Sequence, residues 1–211
     1  MDEATARREV LRFVRRGARE GVLRGTFGNV SVRCEGGIVI TPTAADYLGL
    51  HVADLVAVGL DGSCSGGRPS SELALHLEVY RRLPDVGAVW HDHAPHAVAA
   101  ALVASEVPLF TGEGLGLIGP HLPVAPYRPA GSELLAREAA EILVRGGCSA
   151  VLLRNHGLCA TGRNLMEAYS CAIAADEAAL HYLLTLDRTP AGLPPEEARR
   201  IRAAAAEYRM H

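Results

Sequence analysis

The sequence predicts an α/β protein whose central sheet is covered by helices on both faces, and three observations predict it. Short β-rich runs interleave with longer stretches of helical periodicity along the whole chain. Two runs, 86–93 and 149–157, carry unbroken apolar stretches at 86–90 and 150–153, as strands buried on both faces do. No repeat and no second-domain boundary interrupts the 211 residues. The expectation is therefore one domain, 1–211, with "TPAGLPP" (189–195) leading to a C-terminal helix over 194–210.

The elements follow in order. "RREVLRFVRRGARE" carries Val10, Phe13 and Val14 at helical spacing, which predicts an amphipathic helix with a solvated arginine face. "NVSVRC" and "GIVITP" read as strands joined at Glu35-Gly36-Gly37, and "DLVAVGL" as a strand closed by Asp61-Gly62-Ser63. "PSSELALHLEVYRRL" reads as a helix with a serine cap and Glu72 close behind. The strand "VGAVWHDH" leads into the helix "APHAVAAALVAS", which has proline in its first turn. Strand "LPVAPY", helix "SELLAREAAEILVRGG" ending in glycines, and strand "SAVLLRNHG" come next. A long helix then starts at Asn164 as its cap.

Composition narrows the chemistry. A net charge of −3 offers no basic face for nucleic acid, and no apolar run reaches the roughly 20 residues of a membrane span. No signal peptide opens the chain, and five scattered cysteines never form CxxC. That pattern fits a reducing cytoplasm, with the thiols as small apolar filler. There is no lysine; all 21 basic residues are arginine. Schiff-base chemistry and the Walker-type phosphate loop are excluded with it.

"AVWHDHAPHA" supplies the strongest functional signal. His91 and His93 are two apart, so in an extended strand both imidazoles share one face. His156 stands between a buried strand and a glycine, where an Asn-His pair is costly to place near a core without a purpose. Glu72 sits at a helix start that favours anions. Three imidazoles and a carboxylate form a tetrahedral N3O set suited to Zn2+ or another borderline divalent ion; Mn2+ and Co2+ are the other divalent metals considered. Each residue also has a plainer reading: His156 as a hydrogen-bonded core residue, Glu72 as half of a helix cap. His96, in the first turn of a helix, is taken as structural or as support behind the ligands. His51, His76, His121, His181 and His211 carry no pattern and default to surface or packing. A binuclear HxHxDH site is discounted because Pro95 stands where its aspartate belongs.

Taken in order and spacing, "GTFGNVSVR", "ITPTAADY", "RPSSELALHLEVY", "VWHDHAPHAVA" and "LLRNHGLCATGRNLMEAY" resemble the class II aldolase/adducin family, most closely its fuculose-phosphate aldolase type. The resemblance implies a three-layer α/β/α fold around a mixed or antiparallel sheet. It implies homotetramers with active sites between subunits. It assigns His91, His93 and His156 to Zn2+, with Glu72 as fourth ligand and acid/base. It places an anion pocket at Thr26, Gly28 and Asn29, at the Thr43-Ala44 turn, and at Ser70 and Ser71. Tyr208 is the counterpart of a C-terminal proton donor; read alone it is equally an exposed aromatic on a terminal helix.

The activity implied is retro-aldol cleavage of a ketose 1-phosphate into dihydroxyacetone phosphate and an aldehyde, through an enediolate that the metal stabilises. Metal-dependent decarboxylation of a hydroxy acid and sugar-phosphate epimerisation are the alternatives. Epimerases of the family carry aspartate at the place of Glu72. Ala44 stands where the family favours glycine, a weakened phosphate cradle that would favour decarboxylation. A catalytically silent adducin-like scaffold would have lost metal histidines. Phe110, Leu115 and Leu117, in a glycine-rich stretch, are candidates for a subunit interface.

Overall fold

The computed structural model describes residues 1–64 and 66–210, without the side chains of 206 and 208–210. Eight strands form one sheet: β1 (Asn29–Cys34), β2 (Gly37–Ile40), β3 (Val56–Val58), β4 (Ala88–Asp92), β5 (Glu106–Val107), β6 (Leu122–Ala125), β7 (Ala150–Leu153) and β8 (Gly157–Gly162). Their order is β3-β2-β1-β4-β8-β7-β6-β5. Only β6 and β7 run parallel among these pairs; the rest are antiparallel.

Strand alternation sorts side chains onto two apolar layers. On one face Val30, Val32, Ala88, Trp90, Leu158 and Ala160 meet α1 (Glu3–Arg19), α3 (Pro95–Val103) and α6 (Leu165–Leu184). On the other, Ile38, Ile40, Val89, Val151 and Cys159 meet α2 (Leu73–Arg82) and α5 (Glu133–Gly146). Each fully buried aliphatic or aromatic side chain contributes roughly 1.5–3 kcal/mol. This is the three-layer α/β/α architecture with a predominantly antiparallel mixed sheet. Two further helices, α4 (Gly112–Leu117) and α7 (Pro195–Met210), pack against each other.

Helix ends follow their sequence signals. Asn164 accepts from the Glu167 N–H at 3.0 Å and Ser132 from the Leu135 N–H at 3.2 Å. Gly147 closes α5 in the left-handed region, at φ 59°. In α1, Val10, Phe13 and Val14 are buried; Arg15 nevertheless turns inward, donating to the Leu50 carbonyl at 2.7 Å.

Several expectations need correction. α2 starts at Leu73 with Glu72 at its cap position and no side-chain cap; instead Ser70 Oγ accepts from the Glu72 N–H at 3.2 Å. The run 149–157 is not one strand. It ends at Leu153, turns, and continues as β8, which the sequence reading left unassigned because "GLCATG" is small and mixed in polarity. β5 and α4 were likewise unread, being short and glycine-rich. Cys148, Cys159 and Cys171 are buried as filler should be, but Cys64 is exposed. Leu115 is buried within this chain, which withdraws it from the interface candidates. Among the described residues no helix is long and apolar enough to cross a membrane.

Candidate metal centre and substrate cleft

The sheet brings the expected four residues together. His91 is the penultimate residue of β4, buried between β1 and β8, with its Cα paired to those of Asn29 and Cys159. His93 follows two residues on, and its Nε2 lies 3.2 Å from His91 Nε2. The β7–β8 turn delivers His156: Asn155 takes φ 59°, and the His156 N–H donates to the Leu153 carbonyl at 3.0 Å. Asn155 itself is exposed, so its role is the turn rather than the core; asparagine tolerates that backbone region better than most residues. Gly157 lies so close to β4 that a Cβ there would stand 2.2 Å from the Asp92 carbonyl oxygen.

Glu72 completes the set from the start of α2. Its Oε2 is 2.8 Å from His91 Nε2 and its Oε1 is 3.3 Å from His156 Nε2. One potential ligand atom from each of Glu72, His91, His93 and His156 falls within 4.8 Å of every other, and among the described residues this is the one such cluster of four.

The electrostatics suit a cation. Burial and the neighbouring His91 and His156 charges push the His93 pKa down to about 4. Burial, then His91, lowers that of His156. Both rings are therefore neutral and offer lone pairs. Burial opposes ionisation of both Glu72 and His91, yet each favours the charged form of the other: Glu72 falls well below the usual carboxylate range, and His91 rises. His91 Nδ1 donates to the Leu158 carbonyl at 2.7 Å, which leaves Nε2 facing the cluster, as a backbone partner does for a metal-bound histidine. Among the described residues, Glu72 Oε1 is buried with no hydrogen-bond partner, and so is His156 Nδ1. An orphaned carboxylate oxygen amid converging imidazoles is what a divalent cation satisfies; the residues fit such an ion.

The cleft beside this cluster is lined by Glu72, His93 and His156, and by all seven residues expected to bind an anion: Thr26, Gly28, Asn29, Thr43, Ala44, Ser70 and Ser71. Two loops are zipped together to form its wall, with Thr43 N–H donating to the Arg68 carbonyl and Ser70 N–H to the Thr41 carbonyl, both at 3.1 Å. Gly28 has φ 87°, and a Cβ there would lie 2.7 Å from the His91 carbonyl oxygen. Only glycine lets the 26–29 turn lie across β4 so closely. Tyr47 braces the turn by donating to the Gly28 carbonyl at 2.5 Å. Ala44 keeps the left-handed conformation of a glycine, at φ 53°, so the turn survives the substitution. The Tyr208 side chain lies outside the described residues.

Three contributors were missed. Phe27, 62% exposed, stacks on His93 with ring centroids 5.3 Å apart, and Ala130 also lines the cleft. His76, assigned to surface or packing, is fully buried, within a polar chain that reaches Glu72. Its position four residues after Glu72, one helical turn on the same face, was the available signal. His96 Nδ1 lies 2.8 Å from Asp176 Oδ2, and His96 is not among the four clustered residues. His51 and His181 are exposed.

Fold and cluster together define a class. Residues 8–183 match the Class II Aldolase and Adducin N-terminal domain, and the chain belongs to that family. It is 35% identical over 183 residues to a 5-methylthioribulose-1-phosphate/5-deoxyribulose-1-phosphate aldolase of Rhodospirillum rubrum, covering 86% of this chain and 82% of the relative. It is 36% identical over 169 residues to the L-fuculose phosphate aldolase of Escherichia coli K12, covering 80% and 78%. A solved L-fuculose 1-phosphate aldolase superposes with a TM-score of 0.88 at 28% identity, over 95% of each chain.

Proposed function

We propose that this protein is a divalent-metal-dependent lyase that cleaves a ketose 1-phosphate into dihydroxyacetone phosphate and an aldehyde. The observation that carries the reading is the convergence of Glu72, His91, His93 and His156 beside a cleft lined by the Thr26–Asn29, Thr43-Ala44 and Ser70-Ser71 segments. Relatives named as ketose-1-phosphate aldolases support it. Zn2+ is the ion proposed, with Mn2+ or Co2+ as substitutes, because three imidazoles and one carboxylate suit a borderline cation.

When bound, the cation supplies Lewis acidity to the substrate's carbonyl and adjacent hydroxyl oxygens. The protein's own residues do the rest. Hydroxyls of Thr26, Thr43, Ser70 and Ser71, the Asn29 amide and loop N–H groups hold the phosphate without any lysine. Glu72, anionic and within reach of the cleft, takes the proton from the hydroxyl whose carbon–carbon bond breaks, and returns a proton to the carbon left behind. Phe27 offers an apolar face at the mouth, suited to the distal end of the sugar. Tyr208 is proposed to hydrogen-bond the oxygen on the aldehyde side, relaying its proton toward Glu72 in cleavage and donating it back in the reverse condensation.

The whole chain is proposed to act as one domain, in a cytoplasmic homotetramer with sites between subunits, as its resemblance implies. The left-handed Ala44 turn keeps the backbone form that a glycine would take there, which supports the phosphate-binding reading over a decarboxylase. The test is an assay of purified protein on L-fuculose 1-phosphate and 5-deoxyribulose 1-phosphate, coupling dihydroxyacetone phosphate release to NADH oxidation. Chelator-sensitive NADH loss supports the reading; no turnover of any ketose 1-phosphate by metal-loaded protein overturns it.

A further inference from the structure

Behind the metal cluster runs a chain of buried polar groups that the ligand set does not use. Asn29 Nδ2 donates to Glu72 Oε2 at 3.1 Å. His76 Nε2 lies 2.5 Å from Asn29 Oδ1, and His76 Nδ1 lies 2.6 Å from Ser31 Oγ. Ser31 Oγ in turn is 2.9 Å from the Tyr80 hydroxyl. Asn29, Ser31, His76 and Tyr80 are all buried.

The direction of donation is set from one end. An ionised carboxylate only accepts, so the amide nitrogen of Asn29 faces Glu72 and the amide oxygen faces His76. That oxygen only accepts as well, so His76 Nε2 carries the hydrogen. Burial, followed by repulsion from His91, pushes the His76 pKa down to about 3, and the neutral ring has a bare Nδ1. Ser31 donates to it and accepts from Tyr80. Each of these contacts pairs one donor with one acceptor, with no alternative orientation that satisfies all five groups, and the second Asn29 amide hydrogen is left for an anion in the cleft.

We propose that His76 is a positioning residue of the metal centre, which by fixing the Asn29 amide holds the Glu72 carboxylate toward the three histidines. This rests on Glu72 acting as a metal ligand. The chain orients and does not conduct protons, because a carboxamide N–H has no ready means of passing its hydrogen along. Outer partners of metal ligands characteristically change affinity by about 10- to 100-fold when lost, and His76 stands one residue further out than Asn29.

Two polar variants separate orientation from packing. In His76→Gln the amide nitrogen reaches close to the place of Nε2 and still donates to Asn29. In His76→Asn the shorter amide serves the Ser31 side and leaves the Asn29 oxygen unpartnered. Full-length protein stripped of metal is titrated with Co2+, and the visible absorption of the bound ion is recorded. The expected result is His76→Gln within about threefold of wild type and with the same spectrum, and His76→Asn about tenfold weaker with an altered band. Equal behaviour of the two variants overturns the inference, whether both are intact or both impaired, since a packing role does not distinguish them. Wild-type protein that binds no Co2+ overturns the proposed function, and this inference with it; equal variants beside a Co2+-binding wild type overturn this inference alone.

Discussion

The Nε2 atoms of His91 and His93 stand 3.2 Å apart, too close for two bare lone pairs to rest without a proton or a cation between them. A proton shared with Glu72 serves in the absence of metal; a divalent ion held by these residues would serve better, since His91, His93 and the orphaned Glu72 Oε1 could all be satisfied by it. Each ring is held by a different device: a strand, the residue beyond it, and a hairpin turn.

Removal of any one ring is therefore expected to lower metal occupancy. Loss of an outer-shell partner alone costs 10- to 100-fold in affinity, so His156→Ala should lose at least 100-fold. Zinc content measured after equilibrium dialysis checks this. Wild-type occupancy in His156→Ala removes that residue from the ligand set.

Glu72→Gln keeps the shape of the side chain and deletes its charge. Positioned acid/base groups contribute about 10²- to 10⁴-fold, so kcat should fall by that factor on whichever ketose 1-phosphate the wild type cleaves. A metal-loaded mutant with full turnover refutes the proton-transfer role.

Ala44 occupies a left-handed turn at φ 53°, where a Cβ costs about 1–2 kcal/mol. Ala44→Gly removes that cost and adds chain entropy to the unfolded state of up to about 1 kcal/mol, so Tm should hold or rise slightly. Ala44→Val should lower both Tm and affinity for inorganic phosphate, because a β-branched residue resists this conformation. Equal thermal melts for the two variants would contradict the assigned turn.

Fully buried His76 links stability to pH. Its folded pKa is near 3 against 6.5 for the free side chain, so between those values the unfolded chain binds a proton that the folded chain refuses. Stability is then lost as pH falls through 6.5 toward 3. At pH 5 the loss from this one group is about 2 kcal/mol. Urea unfolding at pH 7.5 and pH 5 should show wild type losing that much more than His76→Gln; identical losses would contradict the neutral buried ring.

Much of this was legible in the sequence, for physical reasons that differ by residue. His91 and His93 declared a shared face through the period of a strand, and His156 through its place after an apolar run. Asn164, Ser132 and Pro95 marked helix starts because capping chemistry is local. β8 was illegible because its pattern of small residues depends on β4 and β7 on either side. His76 carried only the local signal of its place one helical turn after Glu72; its burial was illegible because its partners Asn29 and Ser31 lie 47 and 45 residues away. Ala44 misled in the other direction: the backbone kept a conformation that the residue type disfavours.

The central claim is that Glu72 moves a proton on the carbon next to the carbonyl, at a site that needs a metal. It is tested most directly without knowing the aldehyde, by incubating dihydroxyacetone phosphate with the enzyme in D2O and following its hydrogens by NMR. The account predicts that wild-type protein exchanges one hydrogen on the hydroxyl-bearing carbon, that EDTA stops the exchange, and that metal-loaded Glu72→Gln slows it at least 100-fold. No exchange by metal-loaded wild type, or unchanged exchange by Glu72→Gln, would contradict it.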